Sequence, residues 1–459
     1  MKHIFYNISL SALNGIKRKL SGKWLKEESF DINLPDEKIN SSLKSLFNEL
    51  DSRVSLPVSM KHSKDRWLRA SANESSASST ESAFASRIIA PFDSDLATEI
   101  LKPFFHNQSD EGNIPSIINI ATTSSIPTTP FIIESVSALH RFSALPDIQE
   151  VFERIQKYFD WLVLHKKESD GLYIRANTRW FNSDDFINEL RRESPKLKSK
   201  MMDVRSVALN SMMAMQLLWA ADIAAITGRE KEARKFQDMH SMLRTAMIEH
   251  LWSDNEQFFY DSIRGEIQPG SLIGGFSSLG AMIPSKDQAG MMMRKKEILK
   301  EKLPLISNFP GLSTGIYSTV NGMIKYGYHR EAADLAWEFI TFANTLPHTS
   351  KHFITRLVSG LLVMNVIIGF RDFGDRQIIN PGFPDQWKNK TARIHREKEG
   401  YSIFVAMDND DNITVRVITS SGIYHETEIK NLGFTTLIPP KKSNGNEVAN
   451  KKAGDISPA

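Results

Sequence analysis

From residue 82 to residue 370 the sequence is written in the helical period, and the helices come in adjacent pairs. Apolar residues recur at i, i+3, i+4 and i+7 in one segment after another, so each helix has one stripe to bury and needs neighbours to bury it against. The stretch Phe309–Asn344 shows this most clearly. A loop carrying Gly311, Ser313, Thr314 and Gly315 leads into a helix at Tyr317–Tyr326. After a short turn, a second helix puts Ala332, Leu335, Ala336, Phe339 and Ile340 on one face. That is a helical hairpin whose loop can face a pocket.

The same reading predicts about ten to twelve helices. Asp95 caps one with Leu96, Ile100, Phe104 and Phe105 on its face. Thr129 and Pro130 open Phe131–Phe142. Ile148–His165, Asp203–Thr227 (stopped by Gly228), Glu230–Leu251, Gln288–Leu303, Arg330–Asn344 and His352–Phe370 follow. No exact repeat of roughly 33 to 47 residues accompanies the pairing, which disfavours a simple solenoid.

The flanks read differently. Residues 1–35 have no strong period and suit an incomplete strand layer or a mobile arm, and Ile39–Leu50 suits a short amphipathic helix. Ser71–Ser86 (SANESSASSTESAFAS) has the small polar composition of a surface loop. After Phe370 comes a proline-punctuated linker, Asn380-Pro381-Gly382-Phe383-Pro384. Thr391–Glu397, Tyr401–Met407, Ile413–Ile418 and Tyr424–Ile429 then read as a small antiparallel β unit. The polar tail from Lys441 has the composition of a disordered segment. The expected division is an N-terminal extension (1–80), a helical domain (81–375), a β unit (376–440) and a tail (441–459).

Composition narrows the function classes. A chain of 459 residues with formal net charge +3 has no basic surplus of the kind nucleic-acid binding needs. The absence of cysteine removes disulfides and thiol chemistry. The N-terminus lacks an uninterrupted apolar core and a small-residue cleavage site, and no run approaches the roughly 18 apolar residues of a membrane span. Leu357–Phe370, the longest candidate, reads as a buried helix. The expectation is a cytoplasmic protein without membrane or nucleic-acid partners. No cofactor is called for, and the oligomeric state is left open.

Several pieces, in this order, resemble the six-hairpin glycosidases. They are most similar to the branch holding glycoside hydrolase family 63, mannosylglycerate-type hydrolases and trehalases. Gln108, Asp110, Gly112, Ile114 and Pro115 match that family's Gln-x-Asp-x-Gly-x-Ile-Pro loop. Asp93–Phe105 is similar to its Asp-x-x-Leu-Ala-x-x-Ile-Leu helix. Leu251-Trp252 with Phe259-Tyr260-Asp261 is similar to its Leu-Trp…Tyr-Asp turn, and Ser318–Met323 matches a segment of its hairpin. The resemblance covers roughly residues 80 to 370. It implies a mainly α fold, an (α/α)6 toroid of helical hairpins with a small C-terminal antiparallel β unit. It also implies a carbohydrate ligand, with Gln108, Asp110, Trp180, Tyr317 and Asn321 as residues that would bind it.

Hydrolysis with inversion needs a protonated carboxylic acid at the leaving oxygen and a carboxylate that activates water from the far side, roughly 6.5–9.5 Å away. The resemblance puts the acid in DGLYIRANTRWFNSDDF, at Asp184 or Asp185, while a different alignment places Arg179 at that position. The same pair also suits the cap of a helix beginning near Phe186. The base would be the glutamate of Glu-Asn-x-Asn-Pro-x-Thr-Gly, where this chain has Ala343-Asn344-Thr345-Leu346-Pro347-His348-Thr349-Ser350. Alanine takes no proton. The family's Trp-Arg-Gly is replaced by Leu312–Gly315, and its early Trp-Asp by a stretch offering only Glu81. Glu338 and Asp372 are the carboxylates nearest in sequence that could stand in for the base. Two functions follow from the resemblance: a glycosidase acting on a small α-glycoside or oligosaccharide, or a toroid that binds a sugar or a protein without hydrolysis.

Other constellations have plain readings. His348 and His352 lie four apart without the glutamate of a zinc-protease motif, so they read as a solvated helix start rather than metal ligands. Met212, Met213, Met215 and Met291–Met293 read as core fillers. Gly270, Gly274 and Gly275 lack the Lys-Ser/Thr of a phosphate loop. Arg191, Arg192, Lys196, Lys198 and Lys200 read as a solvated basic face. Tyr173, Trp180, Phe181 and Tyr317 suit either sugar stacking or hairpin packing.

Overall fold

The computed structural model describes residues 30–55, 65–71, 76–119, 123, 127–128, 130–143, 145–173, 204–263, 265–268, 272–372, 377–396, 400–410, 412–419, 422–429 and 435–437. Along the chain the α-helices are α1 (Glu37–Arg53), α2 (Ser79–Ile89), α3 (Ser94–Glu99), α4 (Lys102–His106), α5 (Phe131–Phe142), α6 (Ile148–Lys166) and α7 (Val207–Ile226). They continue with α8 (Glu230–Leu251), α9 (Leu272–Gly280), α10 (Lys286–Met293), α11 (Glu297–Lys302), α12 (Leu312–Lys325), α13 (His329–Ala343) and α14 (Phe353–Leu362).

Six of these close a ring. α2 packs on α5, α5 on α7, α7 on α9, α9 on α12, α12 on α14, and α14 back on α2. Six others lie outside: α3 against α2 and α5, α6 and α8 against α7, α11 against α9, α13 against α12 and α14, and α1 against α14. Outer and inner helices alternate along the chain, which makes the structure an (α/α)6 toroid. Burial tells the two layers apart. Every residue of α14 is buried, as are nine of the eleven in α2. In contrast α8 and α13 keep polar faces, the pattern of helices with one side in water.

Close packing around a ring axis favours small side chains, and this explains the largest departure from the sequence reading. Ser79–Ser86, expected as part of a surface loop, is most of inner helix α2, with Ser79, Thr80, Ser82 and Ser86 buried. Ser86 returns its hydroxyl proton to the carbonyl of Ala83 at 2.8 Å, which makes a serine tolerable inside a helix. The expected loop at Gly311–Gly315 is likewise the cap and first turn of α12, where Ser313 and Thr355 share a hydroxyl bond of 2.9 Å. Helix α9, unforeseen because of its glycines, fits against α12 because Gly280 and Gly322 leave room: a methyl on Gly322 would stand 2.4 Å from the Gly280 nitrogen.

Smaller corrections follow. Asp93, not Asp95, caps α3, accepting from the Leu96 amide at 2.9 Å. The single helix expected over Gln288–Leu303 is two, broken where Arg294, Lys295 and Lys296 fan out, Lys295 to Glu256 and Lys296 to Glu331. Val207–Ile226 has the length and apolarity of a membrane span, which the sequence reading did not credit to any segment; 72% of that window is buried inside the ring. His352 is buried, whereas His348 is exposed. Of the expected core methionines, Met212, Met213, Met215, Met292 and Met293 are buried, whereas Met291 is half-buried.

Because inner and outer helices alternate in direction, all connections from an outer to an inner helix emerge at one end, the mouth. Short strand pairs stitch them together: Ser76–Ser78 with Ile117–Asn119, and Val204–Arg205 with Asp261–Ile263. At the opposite end, strand β1 (Phe30–Asn33) joins β2 (Lys390–Arg396), β3 (Tyr401–Met407), β4 (Ile413–Thr419) and β5 (Gly422–Ile429) in an antiparallel sheet ordered β1-β2-β3-β4-β5. Trp387, 1% exposed, ties this region to the toroid by edge-on contact with Trp337 of α13, centroids 5.6 Å apart.

Candidate functional site: the mouth and axis of the ring

Each inner helix starts at the mouth, so residues in its first turns are the ones placed to meet a ligand entering the ring. Three inner helices converge on a closed cluster. Phe84 (α2), Phe131 (α5) and Tyr317 (α12) meet edge to face or tilted at centroid distances of 4.9, 5.0 and 6.0 Å. Beside them Arg87 (α2) pairs with Glu134 (α5) at 2.8 Å, and the Tyr317 hydroxyl donates to the same carboxylate oxygen at 2.7 Å. The Arg87 guanidinium also lies over the Tyr317 ring, 5.1 Å from its centroid.

All three polar residues are largely buried. Burial alone would lower Arg87, but the charge of Glu134 and its bonds with Tyr317 and Glu134 reverse this and hold it further toward the cation. Burial pushes the Tyr317 hydroxyl up, so it stays a proton donor. Sequence reading passed over Arg87 and Glu134. The available signal is a single charge inside each otherwise apolar run, AFASRIIA and FIIESVSAL.

The expected ligand-binding residues do not gather at one place. Tyr317 is 3% exposed and occupied by the cluster. Asn321, one turn along, donates to the Tyr317 carbonyl at 2.9 Å. Gln108 spends its amide on the carbonyls of Gly112 (2.7 Å) and Arg154 (2.8 Å), fastening its loop to α6. Asp110 is exposed on that loop. Asp184, Asp185, Trp180, Phe181 and the basic run from Arg191 to Lys200 lie outside the described residues.

The described ends of the stretch that holds Asp184 and Asp185 are closely fixed. Asn210, fully buried in the first turn of α7, accepts from the Tyr173 amide at 2.8 Å and donates to its carbonyl at 3.1 Å. Arg205 reaches across to Asp170 at 2.7 Å. Asp261, 2% exposed, accepts from the Val207 amide at 2.7 Å and so caps α7 from a neighbouring strand. Burial pushes its carboxyl up to about 7, moderated by that amide.

At the segment where the resemblance would put the base, Ala343 is the last residue of α13 and is 4% exposed. Glu338 is exposed on outer helix α13. Asp372 belongs to strand Phe370–Asp372, which follows α14 at the opposite end of the ring. What the structure brings to this segment is Arg356, which donates to the Thr349 carbonyl at 3.3 Å and pairs with Glu49 of α1. Among the described residues no group of three or more His, Asp or Glu is arranged to hold a metal ion.

Residues 75–296 match the sequence model of the mannosylglycerate hydrolase MGH1-like glycoside hydrolase domain. No curated protein matches the chain. Among solved structures, the GH63 mannosylglycerate hydrolase from Thermus thermophilus in complex with glucose is similar over 70% of this chain and 99% of its own, at 13% identity and a TM-score of 0.54. A sialidase is similar over 89% of this chain and 41% of its own, at 11% identity and a TM-score of 0.60. The native α-L-rhamnosidase from Aspergillus terreus covers 88% and 50%, at 12% identity and a TM-score of 0.54. At such identities these structures share the fold. The chain shares the (α/α)6 toroid fold of these structures, and residues 75–296 match a glycoside hydrolase domain model.

Proposed function

We propose that this toroid binds a small α-glycoside or oligosaccharide at its mouth without hydrolysing it by inversion. One observation carries the reading: Ala343, a buried methyl at the end of α13, stands where the resemblance puts the base, and the substitute Glu338 is exposed on outer helix α13. A water molecule with no carboxylate to take its proton loses general-base assistance, a factor of roughly 10²–10⁴ in rate. The glycosidase reading, with Asp184 or Asp185 as general acid, draws its support from the hydrolase-like stretch 75–296.

The test pairs two measurements on the full chain. Calorimetric titration with a panel of α-glucosides and α-mannosides is expected to give saturable binding to at least one of them. Reducing-sugar release from the same panel is expected to stay at the level of buffer. Turnover that disappears in Asp184→Ala or Asp185→Ala overturns the proposal in favour of hydrolysis. A chain that neither binds nor cleaves any member overturns both in favour of a protein-binding scaffold.

A further inference from the structure

The two ends of the stretch between Tyr173 and Val204 meet at a neck on the first turn of α7. Three contacts close it: Tyr173 with Asn210, Asp170 with Arg205, and the strand pairing of Val204 and Arg205 with Ile263 and Ser262. Asp261 underlies the third. It sits at the start of that partner strand, and its Oδ1 holds the Val207 amide, the first residue of α7. Its side chain is buried and its bond to α7 is to a neutral donor.

The charged groups on neighbouring elements are engaged elsewhere. Arg205 pairs with Asp170, and Lys295 with Glu256 and the Tyr260 hydroxyl. Glu266, on the adjoining strand, and Glu249 and His250, at the end of α8, are exposed. The first turn of α7 supplies no charged side chain. A carboxyl in such a place is cheap to bury protonated and costly to bury ionised.

We propose that Asp261 is a pH-sensitive clamp on this neck: protonated, it holds the first turn of α7 and the adjoining strand pair closed, and on losing its proton it favours their release. The sign follows from linkage. An aspartate in water ionises near its ordinary value of about 4, whereas burial holds Asp261 protonated up to about 7. Over that window the open neck releases a proton that the closed neck keeps. Opening therefore becomes easier by about tenfold per pH unit, and levels off above about 7.

Amide exchange at residues 207–210 of the full chain, corrected for the intrinsic pH dependence of exchange, reads this directly. The opening constant is expected to rise roughly tenfold per unit between about pH 5 and about pH 7 and then flatten. Asp261→Asn keeps the acceptor and removes the proton, so its profile is expected to be flat. Asp170→Asn loosens the neck without touching Asp261, and is expected to raise the opening constant at every pH while keeping the slope. A flat profile in the unaltered protein overturns the proposal, whatever the variants do. A slope that persists in Asp261→Asn also overturns it, and if that variant fails to fold, a slope lost in Asp170→Asn does the same.

Discussion

Two contacts inside the ring are built on opposite principles, and α12 takes part in both. On one side, α12 meets α9 through missing side chains. A methyl on Gly322 would come within 2.4 Å of backbone atoms of Gly280 and Leu279, and one on Gly280 within 2.5 Å of the Ser318 carbonyl oxygen. Five residues earlier, α12 meets α2 and α5 through bulk and charge: Tyr317, Phe84, Phe131, Arg87 and Glu134. The first contact has no room for an added atom. The second cannot lose one, because each polar group is buried on the strength of its partners. The difference shows that this ring is held at its axis by complementarity of two kinds, and neither resembles an apolar stripe.

Substitutions at the two contacts should therefore fail in different ways. Gly322→Val is expected to have the largest effect, a loss of more than about 5 kcal/mol, which for most domains means no stable fold. The clashing atoms are backbone and have no rotamer to escape into. Circular dichroism and yield of soluble chain would show it, and a well-folded variant would mean that α9 and α12 can slide apart. Arg87→Met comes next, with a loss of about 3–5 kcal/mol in denaturant titrations, because it strands the Glu134 carboxylate. The double change Arg87→Met with Glu134→Leu is expected to recover most of that loss, since it removes the stranded charge together with its partner. If the double variant is no better than the single one, the contact depends on shape, and the contrast with α9 disappears.

The same contrast explains what could be read from the sequence. Outer helices were legible: Glu230–Leu251 and the buried face Ala332, Leu335, Ala336, Phe339 and Ile340 stand where the period put them, because a helix with one wet side writes that side into its residues. Strands Tyr401–Met407 and Ile413–Thr419 were legible for the matching reason, one buried face and one more accessible face at period two. The inner helices α2 and α9 are buried on nearly every side and carry no such contrast. Their sequences are set by how near a neighbour must come, which turned α2 into an apparent loop and hid α9. Of the candidate site, Ala343 enters only through the resemblance, as the place where a motif lacks its carboxylate. The grouping of Arg87, Glu134 and Tyr317 was not legible, because it joins residues from positions 87, 134 and 317 and depends on ring closure.

Tyr317→Phe gives the smallest and sharpest effect. The substitution keeps the ring between Phe84 and Phe131 and deletes only the hydroxyl that donates to Glu134. A hydrogen bond to a charged group contributes about 1.5–3 kcal/mol, so a loss of that size is expected while the carboxylate is present. In the background Arg87→Met with Glu134→Leu, the hydroxyl is left buried without its acceptor. Deleting it there should be neutral or stabilising, which reverses the sign of the same substitution. If Tyr317→Phe costs the same in both backgrounds, the hydroxyl acts independently of Glu134. The second contact would then be a packing contact like the first, and the two sides of α12 would differ only in the size of the side chains that fill them.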